Sequence, residues 1–432
     1  MKPTPTPSGP NTSGANPSGS TTPRTSSLTQ KASIVVLARV LTTIIDLAIV
    51  IVIIRILSKT DFAIIGYMLM VHELARNLAT LGFPESVFYY FEQIAGSRKR
   101  GFVLQTSALL AVTGGVAALL ILGLGRVLPG MLTEWDPDSV RTLMELLPIM
   151  AGVTLLEIPT WPATNILLAS DRQRDAAWFE TLTSLATFSA IVVPLWLGLD
   201  LRYAVYGLLG YSVFRLLLAS LWVVRVLPAS PARSDRADLP LLQRLFPPSG
   251  VPLRRQIGFS LPIGLSSYVS KLNRNIDKLI VSILLPASAL AEYNIGAQEV
   301  PIIRVIPFAV GSVLISRYVS LNLASQREEL LRLWYKGVEN VTLLVVPLAV
   351  LSILVAPDLV EWIATTDNAD YRNAVVPFML YNAIVLIRVT HYGSLLQAFG
   401  DSRGVLWMSL NLMVANLVLS IPFTLWLGIT GT

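Results

Sequence analysis

Apolar residues in this chain do not alternate with polar ones at the two-residue step of a half-buried strand. They run on in blocks of about twenty residues or more, long enough as helix to cross the ~30 Å hydrocarbon core of a bilayer. Eleven such blocks predict spanning helices. They lie near 33–57, 62–91, 102–128, 142–169, 176–197 and 201–227, then near 257–285, 290–316, 331–356, 371–398 and 404–428. Pro84, Pro148, Pro159, Pro162, Pro301 and Pro307 fall within or beside them. There the missing N–H and the ring clash kink or interrupt a helix. The fold class is therefore all-α, a polytopic membrane protein.

Composition agrees. Hydrophobic residues make up 53% and charged residues only 14%, where a soluble domain carries about 25% charged. Mean hydropathy is +0.63. The chain has no cysteine, which excludes disulfides, thiol catalysis and Cys-type metal sites. Two histidines, His72 and His391, leave little for a histidine metal site. No metal and no organic cofactor is expected, and no Gly-rich phosphate loop points to ATP. Residues 1–27 hold Gly, Pro, Ser or Thr at 21 positions and no acid. Such a stretch cannot bury enough apolar surface to offset its ordering entropy, so 1–30 reads as a disordered tail.

The net charge of +6 is explained by topology. One set of connecting loops carries fifteen basic residues, among them Arg98, Lys99, Arg100, Arg254, Arg255 and Arg327. The alternate set carries five: Lys59, Arg126, Arg141, Arg202 and Arg372. The positive-inside rule places the first set, and the N-terminus, in the cytoplasm. No nucleic-acid partner is implied.

The chain also repeats itself. "VHEL" at 71–74 and "AQEV" at 297–300 hold the same place in a second helix, 226 residues apart. "LLASDRQR" at 167–174 answers to "LLQAFGDSR" at 395–403, and "LWLG" at 195–198 recurs 230 residues later at 425–428. Matching order, spacing and topology predict a duplicated six-helix unit in parallel orientation. The expected organisation is an N-lobe over 31–227, a cytoplasmic linker over 228–256 and a C-lobe over 257–432 with five spans. The second copy of the sixth helix has no counterpart after "LWLGITGT", and truncation is the favoured expectation.

One span carries an unusual load. "SKLNRNIDKLIVSILL" at 270–285 places Lys271, Arg274, Asp277 and Lys278 in a single block. Four charges at the helix centre cost roughly 10–14 kcal/mol, while the fourteen Ile, Leu, Val and Phe between 257 and 285 return roughly 4–8 kcal/mol. Facing lipid, this helix inserts poorly. On a continuous helical wheel the charges share one face, which predicts a helix lining a wet cavity with Arg274 and Asp277 paired at i, i+3. Arg39, Thr42, Thr43 and Asp46 share a face of the first span; His72, Glu73, Arg76, Asn77 and Thr80 share one in the second. Asn294, Gln298 and Glu299, with Arg304 further on, mark the eighth. Arg388 and His391 mark the tenth. The expectation is one central polar chamber between the halves, the usual place for a transport site. Glu85, Glu157 and Arg215 read as packing or interfacial charges, and Lys59 and Asp61 as solvated.

Six plus six helices in parallel repeat, with a charged first and seventh helix, resemble a known family. So do "IDKLIVSILLPASALAEYNIGAQEVPIIRVIPFAVGSVLISRYVS" at 276–320 and the matching "FAIIGYMLMVHELA" of the first half. The family is the polysaccharide transporter branch of the multidrug/oligosaccharidyl-lipid/polysaccharide superfamily, and the likeness covers about residues 30–432. It implies a MATE-like fold and a multi-pass protein of the bacterial inner membrane. This would be a flippase rather than an enzyme, moving undecaprenyl-diphosphate-linked oligosaccharide to the outer leaflet. Its partners would be that lipid-linked glycan, membrane lipids and other polysaccharide-assembly membrane proteins. On this reading Arg39, Arg76, Lys271, Arg274, Lys278, Arg304 and Arg388 bind the anionic headgroup, and Asp46, Glu73, Asp277 and Glu299 couple transport to H+ or Na+. The alternative is a cation-coupled multidrug exporter of the same fold. A peptidoglycan-precursor flippase, usually with fourteen helices, and an intramembrane polymerase or ligase with a long outer loop both fit less well.

Overall fold

The computed structural model describes residues 25–91, 93–227, 249–298, 300–364, 370–390, 395, 399 and 402–432. Most of the predicted tail and linker, and most of the "TTDNAD" turn, lie outside the described residues. The described residues are helical, with no strand among them.

The first half holds eight α-helices: α1 (Thr25–Ile56), α2 (Lys59–Thr80), α3 (Phe83–Phe91), α4 (Gly96–Met131), α5 (Pro137–Glu157), α6 (Ala163–Ala169), α7 (Gln173–Trp196) and α8 (Leu201–Val226). α1 begins inside the stretch read as tail. The second half holds α9 (Leu253–Asn273), α10 (Ile276–Leu284), α11 (Ala287–Gly296), α12 (Pro301–Leu323), α13 (Arg327–Leu354), α14 (Ala356–Ala364), α15 (Val375–Arg388) and α16 (Ser402–Leu427). Among the described residues, seven segments are long and apolar enough to cross a membrane unaided. The other four predicted spans are made of shorter pieces or run into undescribed residues.

Each interruption has a local cause. Between α2 and α3, Leu81 and Gly82 both take positive φ (43° and 74°), and Pro84 restarts the helix. Between α5 and α6 the Pro159 and Pro162 pair forces a 3-10 turn over Ile158–Thr160. Pro301 stands at the start of α12, where a missing N–H costs nothing. Pro148 and Pro307, by contrast, sit inside continuous helices.

The break between α9 and α10 corrects the expectation of one charged helix over 257–285. No proline causes it. Asn275 leaves helical geometry (φ −120°, ψ −2°), and its side-chain amide donates to the Lys271 carbonyl at 3.1 Å, satisfying an acceptor the break would orphan. A wheel drawn through 270–285 therefore misplaces the residues on either side of Arg274.

The repeat is visible in detail. "LWLG" closes α7 and α16 alike: Gly198 and Gly428 both adopt left-handed φ (73° and 62°), and Trp196 and Trp426 before them are both 77% exposed. Exposed tryptophan at a helix end is what a membrane interface favours. The "VHEL" and "AQEV" correspondence is looser, since 71–74 continue α2 whereas Ala297 caps the end of α11. Asp171 occupies its turn with φ 60°, and Asp401 lies outside the described residues.

α1, α2, α4, α5, α7 and α8 pack as one bundle, while α12, α13 and α15 pack together in the second half. α9 touches α2 and α3 of the first half and also α16 of the second. The crossing is tight: a Cβ on Gly264 would collide with the Leu81 and Gly82 backbone, and one on Gly82 with the Ser260 carbonyl. At the end predicted to face outward, the halves are locked. Trp135 Nε1 donates to the Ser282 carbonyl at 3.0 Å, Arg55 Nη2 to the Trp362 carbonyl at 2.5 Å, and Phe62 meets Tyr371 edge-on.

Candidate functional site in the first lobe

Seven helices, α1 to α3 and α5 to α8, surround a cavity of about 650 Å3 in the first half. Its lining follows helical spacing on five of these walls: Arg39, Thr42 and Asp46 from α1; His72 and Arg76 from α2; Met150, Val153 and Glu157 from α5; Glu180, Thr183 and Thr187 from α7; Leu208, Tyr211 and Arg215 from α8. Steps of three and four residues put each set on one face. Lipid on the outside makes that inner face the only affordable place for charge.

Glu157, at the end of α5, ties the walls together. It is 5% exposed. Its carboxylate meets His72 Nε2 at 3.0 Å, Arg215 Nη1 at 3.5 Å and Arg76 Nη1 at 4.0 Å. Both guanidinium groups lie over the Trp161 ring, Arg76 at 4.1 Å and Arg215 at 5.0 Å from its centre. Arg215 also donates to Tyr211 Oη at 2.8 Å and to Thr160 Oγ1 at 3.0 Å. Arg76 Nε is buried without a partner, so one donor on the cavity wall remains to be satisfied. Buried charge of this density is stable only when paired and hydrogen-bonded.

The sequence pattern placed Glu157 and Arg215 outside the site; the structure puts both on the cavity wall. Glu180 and Trp161 also line it, and the sequence pattern did not mark them. A signal existed, because an ionisable residue in mid-span is a functional candidate by default. What hid Glu157 was its position before the Pro159–Pro162 interruption, where an interfacial location was the simpler reading.

The remaining candidates are distributed differently from the expected single chamber. Arg274 and Asp277 line a second cavity, about 760 Å3, with Asn273, Tyr293, Tyr381 and Asn416. They form no ion pair with each other. Asp277 is instead bonded by Tyr293 Oη at 2.8 Å and by the Lys278 amide at 2.9 Å, because the α9–α10 break aims it into the second half while Arg274 stays exposed. Lys271 Nζ donates to Asn77 Oδ1 at 2.9 Å and so bridges α9 to α2. Lys278 and Glu73 are half-buried and line neither cavity. Arg304 and Arg388 lie in α12 and at the end of α15, with side chains outside the described residues, as is Glu299.

Lys59 is not solvated as expected. Its Nζ sits 2.6 Å from Glu292 Oε1 and over the Tyr371 ring, and Asn373 Nδ2 holds the same carboxylate oxygen at 3.2 Å. Asp61 accepts from the Ser58 hydroxyl at 2.7 Å at the start of α2.

The described residues form a helical, multi-pass membrane bundle with a polar cavity in each half and the halves joined at one end. The family of polysaccharide biosynthesis proteins matches residues 28–319, and the chain belongs to that family. No curated protein sequence matches it. Among solved structures, the fold is similar to the inward-facing conformation of a multidrug resistance MATE family transporter of the MOP superfamily. That match has a TM-score of 0.68 and 15% identity, covering 90% of this chain and 89% of that one. It is similar to the lipid II flippase MurJ in an inward closed conformation, with a TM-score of 0.64 and 13% identity, covering 92% and 82%. It is also similar to a MOP superfamily transporter from Pyrococcus furiosus, whose binding pocket is described as having reverse polarity. There the TM-score is 0.59 and the identity 13%, covering 94% and 89%. The protein is a multi-pass membrane protein of the polysaccharide biosynthesis family, with a fold similar to those transporters.

Proposed function

We propose that this protein flips undecaprenyl-diphosphate-linked oligosaccharide across the bacterial inner membrane, from the cytoplasmic to the outer leaflet, with its N-terminus in the cytoplasm. The observation that carries the proposal is the first-lobe cavity. Arg39, Arg76 and Arg215 stand there beside the hydroxyl and amide side chains of Thr42, Thr164, Asn165, Thr183, Ser184 and Thr187, with the Trp161 ring against two of the arginines. Guanidinium groups pair with phosphate oxygens through two parallel hydrogen bonds. Hydroxyls, amides and an aromatic face suit a sugar. The volume lies within the ~300–1,000 Å3 range of small-ligand pockets. The lipid tail would stay in the bilayer while the headgroup crosses through the cavity. Lys271, Arg274 and Lys278 are assigned to the later part of the path, along α9 and α10. Coupling to H+ or Na+ through Asp46, Glu73, Asp277 or Glu299 belongs to the same proposal, and a flipping rate indifferent to both gradients would remove it.

The test is the sidedness of lipid-linked glycan in cells lacking the protein. Wild type is expected to clear glycan accumulated on the cytoplasmic leaflet, and Arg76→Ala and Arg215→Ala are expected to leave it there. Unchanged sidedness with wild type would reject the substrate. The second reading is a multidrug exporter. It is favoured by one observation: Asp46, Glu157 and Glu180 match the three arginines one for one along the cavity wall. Drug resistance on overexpression, with no effect on glycan sidedness, would select it.

A further inference from the structure

The contact between His72 and Glu157 belongs to a longer line. Glu157 Oε2 lies 3.0 Å from His72 Nε2, His72 Nδ1 lies 2.8 Å from Thr154 Oγ1, and Thr154 Oγ1 lies 2.9 Å from the Met150 carbonyl oxygen. Each of the three contacts needs one hydrogen between its heavy atoms. A carbonyl oxygen only accepts, so the threonine hydroxyl donates to Met150. The hydroxyl oxygen must then accept from Nδ1–H. A neutral imidazole has no second hydrogen for the contact to Glu157, and a carboxylate has none at all. The line therefore holds one proton more than neutral histidine plus carboxylate can supply. It sits either on the ring, as imidazolium, or on the carboxyl.

We propose that His72 and Glu157 form a one-proton site whose occupancy sets the charge of the first-lobe cavity, so that a proton and an anionic ligand bind cooperatively. The second half of this proposal rests on the anionic-headgroup reading above. With the proton bound, the pair is neutral and Arg76 and Arg215 present two positive charges to the cavity. With the proton gone, the pair carries one negative charge and cancels one of them. That sum is the same whichever residue holds the proton.

The other charged groups around the pair leave this logic intact. α1 contributes Arg39 and Asp46, α7 contributes Glu180, and α8 contributes Arg215 with Tyr211 bonded to it. α2 itself carries Glu73 and Arg76 beside His72. α4 places no residue on the cavity wall. α9 brings Lys271, which is spent on Asn77, and α11 brings Glu292 and Tyr293, held by Lys59 and Asp277. Among the groups within 4 Å, Glu157 is the one carboxylate that both arginines share. Gaining or losing its charge therefore acts on them directly. Binding linkage is reciprocal: whatever the proton does for anion affinity, the anion does for proton affinity.

The test uses the full chain in membrane mimetic with 15N-labelled histidine. Only two rings report, and His391→Gln leaves one. The expected His72 ring near neutral pH is doubly protonated, or protonated at Nδ1 alone with the proton on Glu157. A ring protonated at Nε2 alone from pH 6 to pH 8 would overturn the site. The second arm measures binding of inorganic pyrophosphate from pH 6 to 8 to wild type and Glu157→Gln. The ligand's own titration is common to both proteins. Wild-type affinity is expected to rise on acidification more steeply than that of Glu157→Gln, by up to about tenfold per pH unit. Equal slopes would overturn the cooperativity. Should Glu157→Gln fail to fold, calorimetry of wild type in two buffers of different ionisation enthalpy counts the protons taken up in excess of those pyrophosphate itself binds. Zero excess uptake would overturn the cooperativity in the same way. Absence of pyrophosphate binding at any pH would reject the anionic-ligand reading and the cooperativity with it, while the ring spectrum still decides the proton site.

Discussion

Lys59 and Glu292 are 233 positions apart in the chain and 2.6 Å apart in the fold. One begins α2 in the first half; the other lies in α11 of the second. Their contact, with Tyr371 and Asn373 around it, makes the end of the bundle predicted to face outward a latch. Glu292→Gln is expected to weaken it. A desolvated pair with one partner removed loses a few kcal/mol, and a coupling of ~1–3 kcal/mol moves a two-state equilibrium about 5–150-fold. The chain has no cysteine, so spin labels at Glu134→Cys and Asp358→Cys report the separation of the halves cleanly. A longer-distance population is expected in Glu292→Gln. An unchanged distribution would mean that the aromatic and backbone contacts hold the end closed without this pair.

The Trp161 ring meets the guanidinium groups of both Arg76 and Arg215 at the cavity wall. Two cation–π contacts at ~0.5–2 kcal/mol each are lost in Trp161→Ala. The proposed flipping activity is expected to fall about tenfold or more, while Trp161→Phe, which keeps an aromatic face, stays within about threefold. Equal losses in both variants would assign Trp161 to packing instead.

Gly264 lets α9 cross directly over the Leu81–Gly82 break. Gly264→Ala sets a methyl against backbone that cannot rotate away. An overpacking cost of ~1–3 kcal/mol is expected, read as a lower thermal midpoint. Gly258→Ala, with nothing near its Cβ direction, serves as the control on the same helix. Equal midpoints for the two variants would show that α9 slides freely at this crossing.

Asp136 caps α5 outside the membrane. The Ser139 hydroxyl and, at 2.9 Å, the Ser139 amide donate to its carboxylate and hold its carboxyl below the usual range. A depressed folded value means that the stabilisation is present above the ordinary carboxylate value of ~3.9 and is lost as pH falls through the folded one. Asp136→Ala is expected to lower stability at pH 7 by the low end of the ~0.5–2 kcal/mol typical of a cap, because the site is exposed to water. The gap between wild type and Asp136→Ala should close below about pH 4, and a gap independent of pH would contradict the capping role.

The sequence alone determined the class of the protein and most of its helices. A bilayer requires each spanning segment to satisfy its own backbone and to show apolar side chains outward, so spans are written as long local runs that composition cannot hide. The repeat was equally local: "LWLG" predicted two equivalent helix ends, and Gly198 and Gly428 share one conformation. What the sequence left undecided was which charges meet. Glu157 gathers His72, Arg76 and Arg215 from two other helices, Lys59 finds Glu292 across more than half the chain, and Asp277 turns to Tyr293 rather than to Arg274. A helical wheel describes one helix at a time. It cannot see that Asn275 interrupts the charged span after α9, or that rotation about each helix axis is set by packing against its neighbours. Those are decided by contacts between residues far apart in sequence, and only the tertiary structure contains them.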